Sequence, residues 1–352
     1  SAPVEEKAAL FREDRDRKVD RTYSALSLPI PHLPPIAQLT PQDQPERYER
    51  YAYRSFDRAW VIADGRVLTY ARKELWHTWS PKQVYLTSLL TSPLGQGPGL
   101  IATPWVPDRH HFRGSYGGKD VIPLFRDRKG EKPNLTEGLL EVLKATYGFP
   151  VGAEDFLAYV YALLAHPGYT ARFAAEVQTP PPRVPITKDG WLFRLAVRLG
   201  KRLLCLHTYG ERFGNRCRLN GQARWRKQPS RYPQDFRYDE EAQTLYVGNG
   251  EVYPVSPEVW AYEVSGFHPL RHWLDYRKAS RGGRRSSPLD EIGPTVWDAD
   301  LSRELLELIW VLEGSLRVHR CQERLLQRIL EGPLFQGELP QPKDEERNPP
   351  LL

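Results

Sequence analysis

Arginine dominates the chemically capable side chains of this 352-residue sequence. It supplies 37 of 50 basic residues, Lys the other 13, against 44 acids and a formal net charge of +6. A guanidinium offers a planar fork to phosphate oxygens or to the O6/N7 edge of guanine, whereas Lys is a point charge. Position concentrates the effect. Between Arg194 and Arg237 lie twelve basic residues and two acids, Glu211 and Asp235, interleaved with His207, Tyr209, Phe213, Trp225, Tyr232 and Phe236. Cations neutralise phosphates and rings pack on sugars or bases, so such a stretch suits a nucleic-acid backbone. Arg216, Arg218, Arg224, Arg226, Lys227 and Arg231 are the phosphate-contacting candidates from it. A second cluster, Arg277-Lys278-Ala279-Ser280-Arg281-Gly282-Gly283-Arg284-Arg285, reads as a loop and adds Arg281, Arg284 and Arg285. The bland reading is a solvated arginine-rich face and a loose connector. Together the clusters exceed the charge of the whole chain, and that asymmetry favours a polyanionic partner.

Other chemistry is poorly supported. His110-His111 follow Asp108 and Arg109, but adjacent residues of a strand point to opposite faces, so no metal site is assigned. Arg109, His110 and Arg113 are instead base-contacting candidates on a loop. No catalytic residue is assigned, because no GxSxG, HExxH or GxxxxGKS/T spacing is present. The ending Asn348-Pro349-Pro350-Leu351 lacks the aromatic residue of an amino-methyltransferase motif and is read as chance. Three cysteines without a CxxC pair argue against a disulfide framework or a cysteine zinc site, and they suit a reducing cytoplasm. No cofactor is expected in this chain.

The elements that must position these residues follow from composition and period. With 40% hydrophobic and 27% charged residues the chain is globular. No run approaches the ~18–20 apolar residues of a spanning helix, and residues 1–18 lack the apolar core of a signal peptide. Residues 1–50 hold a charged helix over 5–21 and a proline-rich linker over 28–35. Residues 51–130 form a β-rich recognition lobe. A hairpin is expected around Asp64-Gly65, with strands near 84–86 and 100–103. Helical period takes over in 131–210, with helices near 139–147, 154–164 and 191–207. Residues 211–290 are β-rich and basic, with a hairpin around Gly248-Asn249-Gly250. C-terminal helices fill 291–332, with Asp300 as an N-cap, and 333–352 reads as a disordered tail. The fold class is α+β: mixed β-rich lobes for recognition, a central helical region and C-terminal helices.

The order of local motifs resembles the C-terminal specificity region of Type ISP restriction–modification enzymes and related adenine-N6 methyltransferases. Tyr53-Arg54-Ser55-Phe56-Asp57-Arg58 is similar to that family's YRPFDxR signature, with Ser55 in place of proline and Ala59 where the second arginine belongs. Pro123-Leu124-Phe125 and Lys132-Pro133-Asn134-Leu135 resemble its PLY…PNL junction. The run from Glu154 to Tyr169 resembles its central helix, and Pro182-Arg183-Val184-Pro185 its PRIP segment. Val259-Trp260 through Trp273 and Arg277 resembles a further tryptophan motif.

The resemblance implies a sequence-specific double-stranded DNA-recognition module. Methyl transfer, and any cleavage, would belong to a methyltransferase domain in cis or in trans that binds S-adenosylmethionine. Arg54 and Arg58 join Arg109, His110 and Arg113 as base-contacting candidates on their chemistry and context; the resemblance itself assigns no base-contacting position. The alternative is a scaffold that docks a methyltransferase or defence partner, with only incidental DNA contact.

Overall fold

Two periodicities alternate along the chain and partition it into helical and sheet layers. The computed structural model describes residues 3–11, 18–22, 33–40, 42–43, 47–68, 71–114, 120–214, 218–279 and 295–348. Helix α1 covers Val4–Leu10, shorter than the expected charged helix over 5–21: residues 18–22 are not helical, and 12–17 lie outside the described residues. Strands β1 (Tyr48–Arg54) and β2 (Asp57–Ile62) form an antiparallel hairpin, with Tyr48 opposite Ile62 and Arg50 opposite Trp60. The hairpin therefore lies one strand earlier than the Asp64-Gly65 dipeptide suggests. Asp64 accepts from the Arg66 backbone N–H at 2.9 Å and pairs with its guanidinium at 2.6 Å, which folds a compact turn rather than a return strand.

After α2 (Lys73–Thr78), strands β3 (Tyr85–Ser88), β4 (Ile101–Thr103) and β5 (Asp120–Pro123) make an antiparallel sheet in the order β4-β3-β5. Every residue of β3 and β4 is buried, as expected of short apolar runs.

The helical layer holds α3 (Leu139–Tyr147), α4 (Ala153–Leu164), α5 (Pro167–Arg172) and α6 (Gly190–His207). The Asp189 carboxylate caps α6 by accepting from the backbone N–H groups of Trp191 and Leu192. α4 and α6 approach so closely that a Cβ on Gly200 would stand 1.8 Å from the Ala158 carbonyl oxygen. Only glycine fits there.

Strands β6 (Arg224–Lys227), β7 (Phe236–Asp239), β8 (Thr244–Val247) and β9 (Gly250–Tyr253) form a second antiparallel sheet, ordered β6-β9-β8-β7. Two short helices follow, α7 (Pro257–Trp260) and α8 (Pro269–Asp275). The 33-residue α9 (Ala299–Glu331) then crosses the molecule. Its N-cap is Asp298, which accepts from the Leu301 N–H at 2.7 Å. The expected cap, Asp300, lies in the first turn and pairs with Arg303 at 2.8 Å. One apolar cluster extends from Phe56 to Ile329 and joins α4, α6, α9 and the inner face of the second sheet. The molecule is α+β, as its motif order implies.

One further expectation changes. Residues 333–348 are not a loose tail: Lys188 N–H donates to Pro333 O at 2.8 Å and Phe335 N–H to Ile186 O at 2.9 Å. Beyond these, α10 (Asp344–Arg347) offers the carbonyls of Glu346 and Asn348 to the Arg126 guanidinium. The apolar Leu334, Phe335 and Leu339 dock against the main cluster and hold the segment there. Cys205 is disulfide-bonded, and Cys321 is free and exposed. No helix among the described residues is long and apolar enough to cross a membrane.

Candidate nucleic-acid interface

The first hairpin carries two of the candidate base contacts and sets both inside ion-pair networks. Arg54 Nη1 lies 2.8 Å from Asp108 Oδ1, its guanidinium carbon is 3.9 Å from the Tyr53 ring centre, and its side chain is 12% exposed. Arg58 is 13% exposed. It donates to Glu307, sits 3.8 Å from Glu304, both on α9, and stacks 4.1 Å over Tyr209. Phe56, at the turn with φ of 62°, is buried in the main cluster, and its carbonyl accepts from the Tyr209 hydroxyl. Asp57 accepts two hydrogen bonds from Arg277, at 2.8 and 3.2 Å. Ser55 Oγ donates to the His111 carbonyl at 3.1 Å. The motif is thus a hub that ties the hairpin to α9, to the end of α8 and to the loop at 107–114.

That loop is fixed to the hairpin and to β3. Asp108 N–H donates to Ala52 O at 2.8 Å, and Asp108 Oδ1 accepts from the His110 N–H at 2.8 Å. The two histidines diverge. His111 is buried with Nδ1 2.8 Å from Thr87 Oγ1, and burial pushes its pKa down to about 3. His110 is half-buried, with its pKa lowered mainly by the same cause. Arg109 and Arg113 flank it at half-buried positions, and the buried Arg113 Nε has no hydrogen-bond partner among the described residues. Arg109, His110 and Arg113 thus lie on one loop, which Asp108 ties to β1 and His111 to β3. No group of three His, Cys, Asp or Glu side chains suited to a metal ion occurs among the described residues.

The basic stretch becomes the solvent face of the second sheet. Alternation in a strand sends successive side chains to opposite faces. Trp225, Leu245, Val247 and Val252 point inward, and the Trp225 Nε1 donates to Ser302 O at 3.1 Å. Arg226, Lys227, Arg237, Tyr246 and Tyr253 take the outer face, while Arg224 turns at the sheet edge to donate to the Gly221 and Ala223 carbonyls at 2.7 Å, its guanidinium carbon 5.2 Å from the Trp310 ring of α9. Arg224 stands opposite Tyr253, Arg237 opposite Tyr246, and Lys227 opposite Glu251, with Arg226 at a break in the register. Among the described residues Arg224, Arg226, Lys227 and Arg231 make no ion pair, and all four are exposed. Arg226 lies 3.6 Å over the Tyr253 ring and Arg237 4.0 Å over Tyr246. Arg237 also reaches Asp239, at 3.5 Å and with 61% of its side chain exposed, a pairing too open to neutralise it. Arg231 sits on the adjoining loop, whose Ser230 is clasped by Asn249 at 2.8 and 3.0 Å. Arg218 is exposed upstream. Arg216, Arg281, Arg284 and Arg285 lie outside the described residues.

The motifs of the sequence resemblance meet one another in space. Tyr159 of the central-helix motif donates its hydroxyl to Pro185 O at 2.8 Å in the PRIP segment, and Asp57 holds Arg277 of the tryptophan motif. The family model for the Type ISP C-terminal specificity domain matches residues 2–308. The chain belongs to this family. Solved Type ISP enzymes and a related complex share its fold. The DrdV–DNA complex aligns at a TM-score of 0.58 and 18% identity, over 78% of this chain and 28% of that one. LlaBIII, an ATP-dependent Type ISP restriction–modification enzyme bound to DNA, gives 0.53 and 17%, over 85% and 19%. A nuclease-deletion mutant of the Type ISP enzyme LlaGI, in complex with a DNA substrate mimic, gives 0.52 and 17%, over 82% and 21%. This chain therefore spans about a fifth to about a quarter of the length of these proteins. No curated protein matches it in sequence.

Three features of the Type ISP specificity domain escape motif reading. Arg277 looks like part of a basic loop, yet it serves Asp57. Tyr246 and Tyr253 also went unmarked as partners of the arginines. Strand alternation across the Gly248–Gly250 turn is the signal that puts them beside Arg237 and Arg226.

Proposed function

We propose that this specificity domain recognises double-stranded DNA by sequence and that it contributes no chemical step. The observation that carries the proposal is the outer face of the second sheet, where Arg226, Lys227 and the adjoining Arg224 and Arg231 are exposed and make no ion pair among the described residues. Arg218, Arg224, Arg226, Lys227 and Arg231 hold phosphates, with Arg216, Arg281, Arg284 and Arg285 as further candidates. Arg109, His110 and Arg113 on the 107–114 loop reach base edges in a groove. Arg54 and Arg58 act by holding that loop and the hairpin in place rather than by touching bases, since both guanidiniums are ion-paired and largely covered. Methyl transfer, with its S-adenosylmethionine, belongs to a methyltransferase region in cis or in trans, and the working compartment is the cytoplasm, where the DNA is. The division of labour among segments 51–130 for reading, 211–290 for phosphates and the helical 131–210 and 291–332 for support is part of this reading.

Duplex titration across salt concentrations tests it. Log K should fall by about 0.9 per neutralised phosphate for each decade of salt, and a randomised duplex pool supplied with the methyltransferase partner should yield a preferred sequence. Salt-independent binding, or no preference, defeats the proposal.

A second reading is favoured by one observation. Trp60 and Tyr48 on the first hairpin are 65% and 64% exposed, and Arg50 beside them is paired with Glu304 at 2.9 Å. A neutral, aromatic, exposed patch suits a protein partner. Co-purification with a methyltransferase and no DNA shift would select the scaffold role.

A further inference from the structure

We infer that Tyr253 and Tyr246 are positioning residues, rigid platforms that orient Arg226 and Arg237 as preformed phosphate forks. The inference rests on the reading of the outer sheet face as a phosphate-binding surface and names how two of its cations are aimed. A free arginine on a solvated strand samples many rotamers, and fixing it on a ligand lowers affinity by the entropy lost. Here the guanidinium carbon of Arg226 stands 3.6 Å from the centre of the Tyr253 ring, and that of Arg237 stands 4.0 Å from the Tyr246 ring. At such distances the guanidinium is held against the negative face of the ring; the N–H edge of Arg226 meets no carboxylate among the described residues, while Arg237 shares its edge with the exposed Asp239 at 3.5 Å.

The backbone explains why the pairs form. Arg237 and Tyr246 are direct cross-strand partners on β7 and β8. Arg226 falls where the β6–β9 register shifts between Trp225 and Lys227, and that irregularity lets it reach Tyr253, whose formal partner is Arg224. Tyr253 is 37% exposed, so it is not a core residue whose loss empties the interior. The two pairs sit on opposite sides of Glu251, which faces Tyr246 on β8 and Lys227 on β6. A carboxylate between two stacked arginines directs phosphates to the flanks of the sheet and away from its middle.

The test is a double-mutant cycle on the full 352-residue chain, read by fluorescence anisotropy with a labelled duplex over a salt series. Tyr253→Leu should weaken binding about two- to fivefold, the equivalent of a surface cation–π contact, and leave the salt slope unchanged because Arg226 is still present. Tyr253→Phe, which keeps the ring face, should bind like the wild type. Arg226→Ala should lower the slope by about 0.9, and in that background Tyr253→Leu should have no further effect. Tyr246 and Arg237 should behave in the same way. An equal loss from Tyr253→Leu with and without Arg226, or no loss at all, overturns the inference while the phosphate face stands. An Arg226→Ala chain with unchanged affinity and slope overturns the phosphate-face reading itself. Thermal melting of each variant identifies any that binds weakly because it is unfolded, and the phenylalanine variant then carries the comparison.

Discussion

Arg54 and Arg58 stand four residues apart on one hairpin, yet neither guanidinium is free. Arg58 balances Glu304 and Glu307, whose side chains are 9% and 19% exposed. Removing one partner of a buried pair leaves charge without compensation. Arg58→Ala should therefore lower unfolding stability by ~3 kcal/mol in urea titration, with the preferred DNA sequence unchanged. A changed preference with unaltered stability would return Arg58 to the readers. Arg113 should behave in the opposite way. Its Nε is buried with no hydrogen-bond partner among the described residues, and the residue is half-buried on the 107–114 loop. Arg113→Ala should relax the preference at one base pair by ~1–3 kcal/mol, as read from selection on a randomised duplex pool. A uniform loss over all sequences would make it a phosphate contact.

The second sheet is the element on which charge and geometry coincide. Its inner face is fixed by Trp225, Leu245, Val247 and Val252 in the main core, so the register that buries them also forces Arg237 and the two tyrosines outward. Two acids share that outer face: Asp239, beside Arg237, and Glu251, opposite Lys227. Glu251→Gln removes a like charge from the path of the phosphates. Duplex affinity at fixed salt should rise by roughly 0.2–1 kcal/mol, measurable by anisotropy, and weaker binding would mean that Glu251 orders Lys227 instead. At this scale the proposed phosphate-holding surface is one face of one sheet, backed by a hydrophobic inner layer.

Across the whole molecule, buried neutral histidines hold the lobes together. His207, on α6, lies beside the Tyr161 hydroxyl of α4 and 2.8 Å from Ser315 Oγ of α9. His166 and His319 face each other with ring centres 5.9 Å apart. Burial pushes His111, His207 and His319 down to about 3 and His166 to about 4. In the unfolded chain each titrates near 6.5. Below that value the unfolded state binds protons that the folded state refuses, so stability is complete above pH ~6.5 and falls as pH drops towards 4. Urea midpoints should be level from pH 8 to 7 and decline steadily from 6.5 to 4.5. A midpoint that stays constant down to pH 5 would show these histidines already charged in the native state.

Local signals were sufficient for much of this. Apolar period located α3, α4, α6 and α9, the Gly248-Asn249-Gly250 turn located the β8–β9 hairpin, and the motif order placed the chain in its family. Those features depend on residues close in sequence, where backbone periodicity and turn chemistry act directly. Tertiary contacts decided the rest. Asp64 closed a turn with Arg66 where a hairpin was expected, and Leu334 and Phe335 drew a polar ending onto the core. Asp57 met Arg277, 220 positions away, and α9 brought Glu304 and Glu307 against Arg58. Whether an arginine is free for a ligand depends on which carboxylate lies within about 4 Å of it in the folded state, and no spacing along the chain contains that distance.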